Sequence, residues 1–103
     1  MIREVPASQV RKSLLSKGFC EPEHHKGRDH EFFFFFFDQR KTPFLVKLSH
    51  GASVLRKDEI RNTAIKNGVG ADDIYRIVCC DFNAQQTTEV YQRSRWPLMR
   101  ADQ

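Results

Sequence analysis

The chain has few cysteines and no apolar run long enough to cross a bilayer. Its 103 residues include three cysteines, Cys20, Cys79 and Cys80. An odd number with one adjacent pair is a poor disulfide framework and lacks metal-site spacing, so free thiols in a reducing compartment are favoured. The longest apolar run, the six phenylalanines at 32–37, is far shorter than the ~20 residues of a transmembrane helix.

A signal-peptide pattern is also lacking at the N-terminus, because Arg3, Glu4 and Pro6 interrupt any early apolar run. We therefore expect a cytoplasmic protein with no membrane partner. The length fits one compact domain. The formal charge of +4 and the pI near 9.2 suit an anionic partner, although a basic excess of this size also serves solubility alone.

The first third of the chain predicts a helix followed by an extended segment. Val10 and Leu14 are four residues apart, so a helix is expected from Ser8, with Gly18 closing it. An extended segment then begins at 19–20. The polar stretch that follows contains a glycine and predicts a turn.

Two strands and two helices are predicted next. Residues 30–37 are expected to form a strand because aromatic side chains favour a pleated, buried surface. Residues 38–43 are predicted as a hairpin loop and 44–48 as the returning strand. Helices are expected over 57–67 and 71–80. The order predicts an α+β fold of α-β-β-β-α type, a three-stranded antiparallel sheet with helices on one face.

The second predicted helix should turn Ile60 and Ala64 toward the core, with Ile65 as a further inward candidate. After residue 80 the periodicity fades. Residues 1–80 are therefore predicted as a single domain, and 81–103 as a tail that is either disordered or docked on the domain. The apolar residues available for docking are Trp96, Leu98 and Met99.

Histidines are the candidate chemical groups. His30 lies at the predicted turn-to-strand junction, and its unperturbed pKa near 6.5 would let it act as base and acid at neutral pH. A structural histidine is the plain alternative. A metal cluster of His24, His25, His30 and Asp29 is disfavoured because the helical spacing of paired histidine ligands is absent. No metal or other cofactor is expected.

Four short elements follow one another along the chain. They are Lys17-Gly18-Phe19 at a helix end, Lys26-Gly27-Arg28-Asp29-His30 before an aromatic strand, His50 after an apolar strand, and Leu55-Arg56-Lys57-Asp58-Glu59-Ile60-Arg61 opening a helix that ends Asn67-Gly68-Val69. In this order they resemble the HicA family of bacterial and archaeal toxins, also described as YcfA-like proteins. The resemblance covers residues 8 to about 70.

The resemblance implies a fold like the double-stranded-RNA-binding domain and an mRNA-cleaving toxin restrained by an antitoxin of the HicB type. It implies His30 as the catalytic residue if the aromatic strand of this chain is aligned with the corresponding strand of the family, so that the preceding loop accommodates the difference in length. If the register holds at Gly27 instead, Asp29 takes that place. The residues expected to contact RNA are Lys26, Arg28, Lys57 and Arg61. Lys57 and Arg61 share one helical face.

Departures from the family pattern leave other functions open. The Asp58-Glu59 pair replaces a small Gly-Thr pair, which puts negative charge where phosphate would approach. That favours a non-catalytic module for RNA or protein contact on the same fold. A third hypothesis rests on the six phenylalanines: alternate rings point to opposite sheet faces. We expect the outward set to be covered by a second copy, an antitoxin or the tail.

Overall fold

The computed structural model describes residues 2–20, 30–49, 51–79 and 81–97. In chain order the elements are β1 (Val5–Pro6), α1 (Ala7–Leu15), β2 (Phe19–Cys20), β3 (His30–Phe37), β4 (Arg40–Ser49), β5 (Val54–Leu55), α2 (Lys57–Asn67), α3 (Ala71–Val78) and α4 (Ala84–Arg93). Strands β2, β3 and β4 form a three-stranded antiparallel sheet in the order β2-β3-β4, and β1 pairs separately with β5. The predicted α+β class and three-stranded antiparallel sheet are confirmed.

The inner face of the sheet forms the core against the helices. Strand β3 turns Phe33 and Phe35 inward, and both are buried. Phe35 packs against Tyr91 of α4, with ring centroids 5.3 Å apart. Helix α1 reaches the same face through Arg11, whose guanidinium donates to both carboxylate oxygens of Glu31 at 2.9 and 2.6 Å. Helices α1 and α4 therefore cover the inner face.

The hairpin between β3 and β4 is shorter than predicted. Its loop is a two-residue turn of Asp38 and Gln39, both with positive φ, as in the turns that favour hairpins. The prediction of a loop over 38–43 was wrong because a bulge in β4 accommodates Pro43 within the strand. Thr42 stabilises this bulge by donating its hydroxyl to the carbonyl of Phe35 at 2.6 Å.

Helix α2 has the predicted bounds and ends at Gly68, whose φ of +71° is the left-handed conformation that glycine adopts easily. Ile60 and Ala64 are buried as predicted. The inward placement of Ile65 was wrong, since this side chain is 74% exposed. The buried stripe continues from Ile60 and Ala64 to Asn67, and Ile65 lies about 100° around the helix from Ala64.

The C-terminal part of the described chain contains a helix that the fading periodicity did not predict. Helix α4 begins after Asn83, whose side chain accepts a hydrogen bond from the Gln86 amide at 2.8 Å. Val90 and Tyr91 are buried, so this segment packs on the rest of the chain. Leu98 and Met99 lie outside the described residues.

Helix α3 ends two residues earlier than predicted. The backbone amides of Asp81 and Phe82 both donate to the carbonyl of Arg76, at 2.9 and 3.0 Å, which turns the chain away from the helix axis after Val78. Throughout the described ranges, no helix has the length and apolar character that a bilayer span requires.

A candidate site between the outer sheet face and helix α2

The outer face of the sheet carries the other half of the phenylalanine run together with His30. His30, Phe32, Phe34 and Phe36 occupy alternate positions of β3, so all four share this face. Phe36 is 38% exposed, and the other three are half-buried. The outer face is therefore a partly open surface with a titratable residue at one end.

A cleft of about 340 Å³ lies between this face and α2. The sheet provides its floor, and α2 with the residue before it provides its wall. The floor residues are His30, Phe32, Leu45, Lys47 and Ser49. The wall residues are Arg56, Asp58, Glu59, Asn62, Thr63 and Lys66.

Asn67 holds the wall against the floor. Its side-chain amide donates to the carbonyl of Leu45 at 2.9 Å, and its oxygen accepts from the Leu45 amide at 3.3 Å. This pairing satisfies backbone groups at the otherwise free edge of β4. Asn67 also donates to the carbonyl of Thr63 and accepts from the Trp96 indole, both at 2.9 Å. All four hydrogen-bonding positions of the buried amide are thus used.

His30 lies directly opposite Ser49 on the neighbouring strand. Its ring is 6.3 Å from the Phe32 ring, at an interplanar angle of 46°. Within the described part of the chain, the imidazole makes no hydrogen bond or ion pair. Both ring nitrogens are therefore open to a ligand that enters the cleft, as an acid–base group requires.

Glu59 anchors the start of the wall. Its carboxylate accepts from the backbone amide of Arg56 at 2.8 Å and from the hydroxyl of Ser49 at 3.3 Å. Because Ser49 donates to Glu59 rather than to His30, these three residues do not form a nucleophilic triad. Ser49 instead ties the floor to the wall beside His30.

The charges in the cleft are mixed. Arg56 is close to Asp58, with a guanidinium–carboxylate distance of 3.4 Å, and both side chains are largely exposed, so this pair contributes little to stability. Among the described residues, Lys47 and Lys66 have no ion-pair partner. Two ammonium groups are therefore free to meet an anion.

The structure separates two of the four predicted RNA-contacting residues, Lys57 and Arg61, from His30. Lys57 and Arg61 line a different, shallow depression together with Glu4 and Asp72. They share one helical face, but that face points away from the cleft. Lys26 and Arg28 lie outside the described residues, and so does Asp29, the alternative catalytic residue.

Several cleft residues were not predicted. Glu59, Asn62, Thr63 and Lys66 form one polar stripe of α2 at spacings of three and four residues. That spacing was present in the sequence, but only the position of α2 beside β4 shows that the stripe faces His30.

Among the residues that the structure describes, the other reactive groups offer no second site. Burial raises the pKa of the Cys79 thiol, with the neighbouring Asp81 carboxylate contributing, so the thiol stays protonated at neutral pH. No group of three or more potential metal ligands occurs in the described ranges. The histidines at 24 and 25, which were weighed as ligands, lie outside these ranges.

Comparisons of the chain with protein-family models, with curated proteins and with solved structures found no significant match.

Proposed function

We propose that this chain is a HicA-like RNA-binding toxin, an mRNA interferase that cleaves RNA by metal-independent acid–base catalysis at His30. The observation that supports it best is the placement of His30 in a cleft, with open ring nitrogens and with Lys47 and Lys66 free to bind phosphate. The sequence resemblance supports it independently. A fold like the double-stranded-RNA-binding domain, an antitoxin of the HicB type and a cytoplasmic location belong to the same proposal.

The chemistry requires three elements. A base removes the proton of a ribose 2′-hydroxyl, whose oxygen attacks the adjacent phosphorus. The bond to the 5′-oxygen breaks, and an acid protonates that leaving oxygen, which yields a 2′,3′-cyclic phosphate. Neutral His30 is suited to the first step and its protonated form to the second. Lys47 and Lys66 stabilise the charge on the phosphoryl oxygens.

The carboxylates of Asp58 and Glu59 support a second candidate, a binding module without catalysis. Both line the same cleft, and negative charge there opposes an approaching phosphate. The engagement of Glu59 by Ser49 and the Arg56 amide gives that carboxylate a structural role that is compatible with either function.

The test uses purified protein and a fluorescent single-stranded RNA in the presence of EDTA. We expect cleavage to products with a 2′,3′-cyclic phosphate, and a rate loss of about 10²–10⁴ in His30→Ala. Expression of the wild-type chain alone should slow bacterial growth and degrade mRNA, and His30→Ala should abolish both effects.

Two controls make this test decisive. Thermal unfolding must show that His30→Ala is folded, and Asp29→Ala is assayed beside it because the family register allows either residue. Unchanged cleavage by a folded His30→Ala protein would remove His30 from catalysis. RNA binding without cleavage by the wild-type chain would favour the binding module.

A further inference from the structure

The outer face carries aromatic rings in a regular row. Phe32, Phe34 and Phe36 (the outer row) occupy alternate positions of β3, which places neighbouring rings about 7 Å apart along the strand. His30 occupies the next alternate position, at the end of the row that enters the cleft. A ligand that follows the outer row therefore reaches His30 directly.

A second row of positive charge lies alongside the first. In the register of β3 with β4, Phe32 is opposite Lys47 and Phe36 is opposite Lys41. Lys41 also places its ammonium 4.4 Å from the centroid of the Phe34 ring. Side chains at opposite positions are within about 5.5 Å of each other at Cβ, so the rings and the lysines form two adjacent lines on one surface.

Two such lines are the recognition pattern for unpaired RNA bases. Aromatic side chains on a sheet stack on splayed-out bases, while cations follow the phosphates. A duplex cannot use the rings in this way because its bases already stack on one another. We propose that Phe36, the exposed ring of the outer row, stacks on a base of single-stranded RNA while Lys41 and Lys47 contact its backbone, and that this surface leads the strand to His30. This inference rests on the proposed function and assigns the surface that would hold its RNA substrate.

Charge argues against a second copy of the chain on this surface. A twofold dimer through the outer row would place the lysines at positions 41 and 47 of both copies in one interface. Like charges brought together there would oppose association, whereas the phosphates of RNA neutralise them. The described end of the chain packs on the other face of the sheet, where the Tyr91 ring of α4 contacts the inward-facing Phe35, Phe37 and Phe44.

The test measures binding of a fluorescein-labelled, 2′-O-methyl single-stranded oligonucleotide by anisotropy. This probe resists cleavage, because its 2′-oxygen carries no proton, so binding is observed separately from catalysis. We expect the single strand to bind more tightly than the duplex of the same sequence. Phe36→Leu should weaken single-strand binding about 5- to 150-fold, the range for the loss of one stacked base, and Phe36→Tyr should preserve it.

Leu15→Ala is the matched control. Leu15 is an apolar residue of helix α1 that is 58% exposed, and its replacement should leave RNA binding unaltered. Lys41→Gln should reduce the slope of the logarithm of the RNA-binding constant against the logarithm of the salt concentration by about 0.7, the value for one phosphate contact on a single strand. If the wild-type chain binds with this dependence on Phe36 but cleaves no RNA, the surface is confirmed and the proposed catalysis fails.

Three results would overturn the inference. They are equal binding by Phe36→Leu and the wild-type chain, equal binding of single strand and duplex, and a dimer in sedimentation velocity that dissociates in Phe36→Ser. The last result would assign the surface to a second copy.

Discussion

The two faces of strand β3 carry the same residue in alternation and differ in almost everything else. On the inner face, Phe35 is 2% exposed and its ring lies 5.1 Å from Phe19. On the outer face, Phe36 is 38% exposed and faces Lys41 across the strands. The difference comes from the neighbours: α1 and α4 bring apolar and aromatic side chains to one face, and β4 brings lysines to the other. A uniform run of phenylalanines thus supplies both a core and a candidate binding surface.

The largest effect is expected from the inner face. Phe35→Ala should lower the free energy of unfolding by about 3–5 kcal/mol, because it removes a buried ring and leaves a cavity. The ring contacts that it would abolish include those with Phe19, Phe44 and Tyr91. Urea denaturation followed by circular dichroism measures the change. A loss below 1 kcal/mol would contradict the assignment of this face as the core.

A smaller effect is expected at the wall of the cleft, where the Asn67 amide binds the backbone of β4. Asn67→Ala should lower the free energy of unfolding by about 1–3 kcal/mol, because it leaves partly buried polar groups of Leu45 and Trp96 without their partner. It should also loosen the packing of α2 on β4. Binding of RNA in the cleft should therefore weaken even under conditions in which the variant is fully folded. Hydrogen exchange at the Leu45 amide should accelerate in this variant.

Trp96→Phe is the control for that variant. It removes only the indole N–H from Asn67 and keeps a ring in the partly buried position of Trp96. Leu45 should then retain its slow exchange. Fast exchange in Trp96→Phe as well would mean that the indole, rather than the Asn67 amide, holds the edge of β4.

Local signals explain which elements the sequence predicted well. The aromatic run defines β3 at 30–37, and Gly68 ends α2 where a left-handed residue is needed. Helix α4 was missed although Asn83 and Gln86 form a reciprocal capping box that is visible as a spacing of three residues. The short pairing of β1 with β5 has no local signal, because it joins Val5 to Leu55 across the fold.

The candidate site was predictable only in part. His30 was identified from its chemistry and the resemblance, and the structure places it in a cleft. Periodicity correctly put Lys57 and Arg61 on one helical face, but it could not show which way that face points. Helix α2 is fixed on the sheet by contacts that include the hydrogen bonds of Asn67 with Leu45, 22 residues away in sequence. Such a contact between distant residues has no signature in a single sequence.

The smallest effect is expected from the outer row. Phe36→Thr should change the free energy of unfolding by less than about 1 kcal/mol, because the ring is already 38% exposed and threonine suits a strand. The same substitution removes a stacking ring, so it should still weaken binding of single-stranded RNA. Stability and binding would then be separated at Phe36, whereas Phe35→Ala should impair both. A stability loss at Phe36 as large as that at Phe35 would show that the outer ring is packed, and the contrast between the two faces would not hold.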